Sequence, residues 1–269
     1  MRILAVVLCL VAGCGSCSCK DDAAAKKEAE PAVTEAKRAP APPRPSLEPA
    51  QVSGLGVVPA AQLGPKLVLS KDAISLDGEP LIAITEDGVL DPERLETLTR
   101  QLEQKATSDA PIGLTLDATV PVRRVSILLD VLKRGGFRNI ALLLGSGSSM
   151  IPMELVDSQE LTASTLRPVV TVKSNYVSLW SESGEEGTMT KPKLAYVLQT
   201  PPDFAPVTRA LADIVERRWP SGRRDAADKM IILEIEGTKP AQVLLQVAAA
   251  VRTDGSLELF PGIYLSAGR

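Results

Sequence analysis

One stretch of this 269-residue chain is written twice, and that repeat limits what the chain can fold into more than any other feature. The first copy, PIGLTLDATVPVRRVSILLDVLKRGGFRNIALLL, reads as strand, helix and strand in succession. Ile112, Leu114 and Leu116 alternate with small or polar residues, as a half-buried strand requires. Thr119 and Pro121 open a helix whose apolar stripe is Val125, Leu128, Leu129 and Leu132. Lys133 and Arg134 suit the negative end of the helix dipole, and Gly135-Gly136 stops it before the strand Ile140 to Leu144. The second copy, KMIILEIEGTKPAQVLLQVAAAVRTDGSLELF, repeats the pattern at a constant offset. Asp117 falls on Glu236, Thr119 on Thr238, Pro121 on Pro240, Leu128 on Val247, Leu132 on Val251, Lys133 on Arg252 and Gly136 on Gly255. Cap, first-turn proline, apolar face and stop recur together, so the spacing predicts an internal duplication.

Around each βαβ unit the chain supplies further elements. Leu67 to Leu69, Ile74 with Leu76, and Leu81 to Ile84 read as three strands broken at Asp77-Gly78. Asp91, Pro92 and Glu93 start a helix striped by Leu95, Leu98 and Leu102. In the second half Val169 to Val172, Tyr176 to Trp180 and Leu194 to Leu198 are the strands, with GEEG at residues 184–187 in the extended turn. Asp203 opens a helix with Phe204, Val207, Leu211, Ile214 and Val215 on its buried face, and Leu257 to Phe260 with Ile263 to Leu265 are expected to close the sheet. The expected class is α/β (α+β): two tandem small domains, residues 66–146 and 168–269, each a mixed sheet with two helices on one face in the order β-β-β-α-β-α-β. Residues 147–167 are expected to link them, with a short edge strand at Met153, Leu155 and Val156. Trp180 and Trp219 read as core or rim residues.

The N-terminus speaks to compartment. All four cysteines, Cys9, Cys14, Cys17 and Cys19, lie in the first twenty residues. Arg2 gives a positive start, Ile3 to Val11 is an apolar run too short to span a bilayer, and Val11-Ala12-Gly13-Cys14 ends it. This is similar to the lipobox of a bacterial lipoprotein signal, which implies removal of residues 1–13 and lipidation of Cys14. An ordinary cleaved signal, or a metal held by CGSCSC, are the other readings. Lipid on Cys14 places the mature chain on a membrane, facing the periplasm, and the absence of an acidic residue after it favours the outer membrane. Residues 14–65, rich in Ala, Pro, Lys and Glu, read as a disordered tether.

Several function classes are excluded or disfavoured. The chain has no histidine, which removes histidine base catalysis, a Ser-His-Asp triad and imidazole-bound metals. A net charge of −3 offers no field for nucleic acid. Gly145-Ser146-Gly147 follows a strand without the lysine of a P-loop or the third glycine of a dinucleotide fold. No organised catalytic constellation follows either, so no enzyme and no cofactor is expected.

The run DATVPVRRVSILLDVLKRGGFRNIALL, preceded by ETLTRQLEQKATSDAPIGLTLD, resembles the periplasmic domain of the ExbD/TolR biopolymer-transport family over residues 66–144. Residues 169–266 are similar more weakly, through Glu236-Gly237-Thr238-Lys239-Pro240 and the helix behind it. The resemblance implies a small α/β domain with helices on one side of a mixed sheet. Family members carry a transmembrane helix with a proton-carrying aspartate; no residue of this chain matches it. What the resemblance leaves is a domain associated with dimer formation and peptidoglycan contact, here duplicated into a covalent pair. The expected function is a non-enzymatic envelope lipoprotein that binds cell wall or a TonB/Tol-type transport component. The alternative is an accessory subunit of a proton-driven ExbB/ExbD-like complex, beside a multi-span subunit. Candidate partner-binding residues are Asp117, Thr119, Glu236 and Thr238, where open helix N–H groups can meet a ligand, and Arg123, Arg124, Arg223 and Arg224, which can meet an anion. Helix capping and solvated charge are the competing roles.

Overall fold

The computed structural model describes residues 47–50, 52, 56–59, 63–84, 92–105 and 110–268. The expected signal peptide, Cys14 and the expected helix cap at Asp91 lie outside the described residues. The first elements are β1 (Val58–Pro59), β2 (Lys66–Leu69), β3 (Ala73–Leu76), β4 (Glu79–Ala83), α1 (Pro92–Lys105), β5 (Ile112–Leu116), α2 (Val122–Arg134) and β6 (Asn139–Leu144). The turn Asp77-Gly78 takes positive φ at both residues, the geometry a tight hairpin of twisted strands needs. Next come β7 (Ser149–Leu155) and the short α3 (Ser158–Ala163). The second half contains β8 (Pro168–Lys173), β9 (Tyr176–Ser181), β10 (Gly187–Thr188), β11 (Lys191–Pro192), β12 (Leu194–Val197), α4 (Ala205–Arg218), β13 (Met230–Glu236), α5 (Ala241–Arg252), β14 (Thr253–Asp254), β15 (Leu257–Glu258) and β16 (Gly262–Gly268).

The duplication is visible in the pairing. In the first half β5 lies parallel between β2 and β6, with β3 and β4 antiparallel beyond β2. In the second, β13 lies parallel between β8 and β16, with β9 and β12 antiparallel beyond β8. The α+β class is as expected; the separation into two domains is not. A single sheet runs β12-β9-β8-β13-β16-β7-β6-β5-β2-β3-β4, and residues 44–269 form one compact unit.

The fusing element is β7, in the segment expected to be a linker. It pairs antiparallel with the whole of β6, from Asn139↔Glu154 to Leu144↔Ser149. On its other edge Glu154 and Leu155 pair parallel with Gly262 and Ile263 of β16, and β1 pairs with Met150 and Ser149. Met153 and Leu155 therefore sit in an interior strand, because Ile151, Met153 and Leu155 have an apolar face on both sides to join. Residues 48–50, expected to belong to a tether, are part of the folded body. Glu48 to Ala50 already dock beside Asp117, with the Ala118 amide donating to the Glu48 carbonyl at 3.0 Å.

The helices follow one another as α1, α2, α5 and α4, each against the next. Their stripes and the facing strand residues, among them Leu114, Leu116, Leu142, Leu233, Ile235 and Val170, share one core across both halves. Each such side chain removed from water contributes about 1.5–3 kcal/mol, so the common core opposes separation of the halves. The other face of the sheet holds two smaller clusters; one includes Leu161 of α3 with Val169 and Ile232. Leu257 and Glu258 leave the sheet instead of closing it, pairing as β15 with β14. That task falls to β16.

Candidate functional site

The two strand-to-helix junctions, where four of the candidate residues lie, are brought face to face. Val122 N–H donates to the Lys239 carbonyl at 2.8 Å, and its counterpart Ala241 donates to the Val120 carbonyl at 2.7 Å. One residue further, Arg123 N–H donates to Gly237 and Gln242 N–H to Ala118, both at 3.0 Å. The four bonds are reciprocal, as a twofold axis between Pro121 and Pro240 demands, and those prolines form an antiparallel bridge across it. The first amides of a helix have no partner within it. Here each helix has its first two amides capped by the other half, so the N–H groups expected to be open to a ligand are occupied.

The acid–threonine pairs repeat the same local bond. Thr119 donates through its amide (2.9 Å) and hydroxyl (2.6 Å) to Asp117 Oδ1, while Glu48 N–H reaches Oδ2 at 3.2 Å. Asp117 is only 1% exposed. Burial alone raises its carboxyl, but these bonds outweigh it and hold the group below the usual aspartate range. In the other half Thr238 Oγ1 donates to Glu236 at 3.1 Å, and the Ser174 amide donates at 2.5 Å. The Ser174 bond, with that from Thr238, lowers the Glu236 carboxyl. Both acids bind their own fold.

The arginines divide. Arg123 is exposed, and Arg124 donates to the Lys71 carbonyl at 3.0 Å. Arg224 lies 5.3 Å from the ring centres of both Trp219 and Phe260 and donates to the Glu258 carbonyl at 2.6 Å. Burial lowers its guanidinium below the ordinary value, so it is a packed residue of the rim. Arg223 alone of the pair projects into solvent. Arg217 and Arg218, in the same basic stretch, converge on Glu186. That carboxylate is 3% exposed and accepts from Arg217 Nη2 (2.9 Å), Arg218 Nε (2.9 Å) and Lys193 Nζ (3.2 Å). Burial raises the Glu186 carboxyl, yet the three cations prevail and hold it at about 2. The turn before β10 presents it: Gly187 has φ +87°, and a Cβ there would meet Lys193 N at 2.5 Å.

A groove of about 310 Å³ lies between α2 and β16, and none of the candidate residues lines it. Ser126, Ile127, Asp130 and Lys133 form its helical wall; Tyr264 and Leu265 form the strand side. Lys133 Nζ stands 5.2 Å from the Tyr264 ring centre and 3.4 Å from Asp130 Oδ1. Ile127 is 37% exposed, unusual for an isoleucine on a packed helix. The strand side is open backbone. All seven residues of β16 pair with β13, but only Gly262 and Ile263 pair with β7. The Pro261 and Ile263 carbonyls accept from β7 and the residue after it, so by alternation Leu265 and Ala267 turn their N–H and C=O toward the groove. Among the described residues no strand lies against them.

The corresponding slot of the first half is filled. Its strand is β6, and β7 lies along it with α5 packed over β7. Matching the copies shows how the two slots differ: the polar Ser126 and Asp130 stand where α5 has buried Leu245 and Ala249. Sequence reasoning passed over the groove, although this mismatch within the repeat was its signal.

Among the described residues no three His, Cys, Asp or Glu are grouped to hold a metal, and no helix is long and apolar enough to cross a membrane. No family model, curated protein or solved structure matches the chain.

Proposed function

We propose that this chain is a non-enzymatic envelope lipoprotein, lipidated at Cys14, whose fused double body holds a periplasmic partner: cell wall or a component of a TonB/Tol-type transport system. The observation that carries the reading is the α2–β16 groove, an open strand edge inside a sheet whose other interior strands are paired on both sides. Such an edge is a ready template for another chain. The reciprocal bonds at Pro121 and Pro240 support the reading of the body as a dimer made within one chain, the counterpart of the dimers that the ExbD/TolR resemblance implies. A pair locked in this way serves as a rigid docking body, and a lipid with a long tether gives it reach.

The test is made in envelopes. A photo-crosslinking residue at Ile127 and another at the exposed Arg123 are compared in the full-length chain with Cys14 intact. The reading expects a lipid-bearing protein in the membrane fraction and an adduct from Ile127 that is a cell-wall fragment or one envelope protein. A soluble, unlipidated chain, or equal adduct patterns from both positions, refutes it.

A further inference from the structure

The symmetry of the fold specifies what the groove holds. We propose that an extended segment of a partner protein enters between α2 and β16 and adds to β16 as an antiparallel strand; this rests on the partner-binding reading above. The first half supplies the template. The sheet registers superpose Ile112↔Ile140 on Ile231↔Ile263, so β6 from Asn139 to Leu144 corresponds to β16 from Gly262 to Ala267. Antiparallel β7 covers the former along its full length. Carried across the axis, an equivalent strand lies against Tyr264 to Gly268, where the pairing with β7 has ended. Five residues of strand extend about 16 Å at roughly 3.3 Å each, enough for a short peptide to make two pairs of backbone bonds with Leu265 and Ala267.

The walls state the occupant's character. In the filled slot, Leu245 and Ala249 make a dry lid over a permanent strand. In the open one, Ser126, Asp130 and Lys133 keep the lid polar, while Ile127, Leu265 and the Tyr264 ring supply apolar contact. A segment held by backbone bonds under a polar lid is exchangeable, with an apolar side chain opposite Leu265, as Ile151 of β7 stands opposite Leu142 of β6. A second copy of this chain does not fit, because its β16 lies inside its own sheet with its own α2 alongside. A single free strand does.

Residue-resolved hydrogen exchange tests this on the mature chain carrying Cys14→Ser, with a blocked synthetic peptide of residues 148–155, SSMIPMEL, as the probe strand. Leu265 and Ala267 amides are expected to exchange fast in the free protein and at least about tenfold slower with saturating peptide. Ser126→Tyr and, separately, Asp130→Arg, each with an unchanged urea midpoint, are expected to abolish that protection. No protection by the peptide overturns the proposal, as does protection that survives both variants. Amides already protected in the full chain and freed by deleting residues 20–46 also overturn it, since the tether is then the occupant. Envelope crosslinks at Ile127 without peptide protection leave partner binding standing and remove strand addition; protection without crosslinks does the reverse.

Discussion

Replacing Glu186 with glutamine removes the charge on which Arg217, Arg218 and Lys193 converge. The native carboxyl sits at about 2 against an ordinary 4.5, and at about 1.4 kcal/mol per pH unit that difference corresponds to about 3 kcal/mol of folded-state preference for the ionised form. Breaking a buried pair from one side costs roughly 3–5 kcal/mol, mostly from the charge left stranded. Here the partners are half or a quarter exposed and recover water once released, so the lower end applies: about 2–3 kcal/mol lost at pH 7. The pH dependence follows from the sign of the shift. A carboxyl whose folded value is depressed stabilises fully above its unfolded value of 4.5 and loses that contribution as pH falls toward about 2. Urea unfolding of wild type and Glu186→Gln at pH 7, 5, 3.5 and about 2 reads this directly, with equal slopes confirming comparable transitions. The gap is expected to be full at pH 7 and to close by about pH 2. A gap under about 1 kcal/mol at neutral pH, or one that stays constant into acid, refutes the assignment of the cradle as a stabilising charge lock.

Three further outcomes are expected. Val122→Pro is suited to the first position of a helix and follows a residue at φ −61°, ψ 137°, yet it deletes the amide that donates to Lys239; a loss of about 1–2 kcal/mol in chemical unfolding is expected, and a neutral or stabilised variant contradicts the exchange between halves. Asp117→Asn turns an amide group toward donors that the carboxylate accepted; thermal unfolding is expected to show about 1–3 kcal/mol lost at pH 7, with the difference from wild type shrinking below the unfolded value of 3.8, as a lowered folded value requires. Gly187→Ala puts a Cβ onto backbone at positive φ, and a drop of at least about 1–3 kcal/mol in urea unfolding is expected, against near neutrality for the equally positive-φ but unobstructed Gly222→Ala after allowance for its own φ strain of about 1 kcal/mol.

Much of the fold was legible because its signals are local. The stripe Val125, Leu128, Leu129, Leu132 places α2, and the proline and glycine punctuation bounds it to within a residue or two. The matched positions of the repeat gave the parallel triplets β2-β5-β6 and β8-β13-β16 their common plan. The segment 145–167 misled because its opening glycines and serines are a tight turn, and because the alternation of Ile151, Met153 and Leu155 with Pro152 and Glu154 reads the same for an edge strand as for one paired on both sides. Candidate site residues were chosen for chemical type, and type alone does not reveal occupancy. Asp117 and Arg224 have the right groups for a ligand, but the Thr119 and Glu48 bonds and the Trp219 and Phe260 rings already engage them.

The order of residues by itself determined most of the helices and strands, the duplication and the helix face of each half, since each depends on periodicity and caps within a few turns of chain. Only tertiary structure decided that the halves share one sheet, that their helix starts cap each other, and that one strand slot is filled while among the described residues no strand lies in its twin. These depend on which unsatisfied backbone groups meet across more than a hundred residues of chain. An N–H or C=O group looks the same in every sequence, and its partner is fixed only when the fold brings one to it.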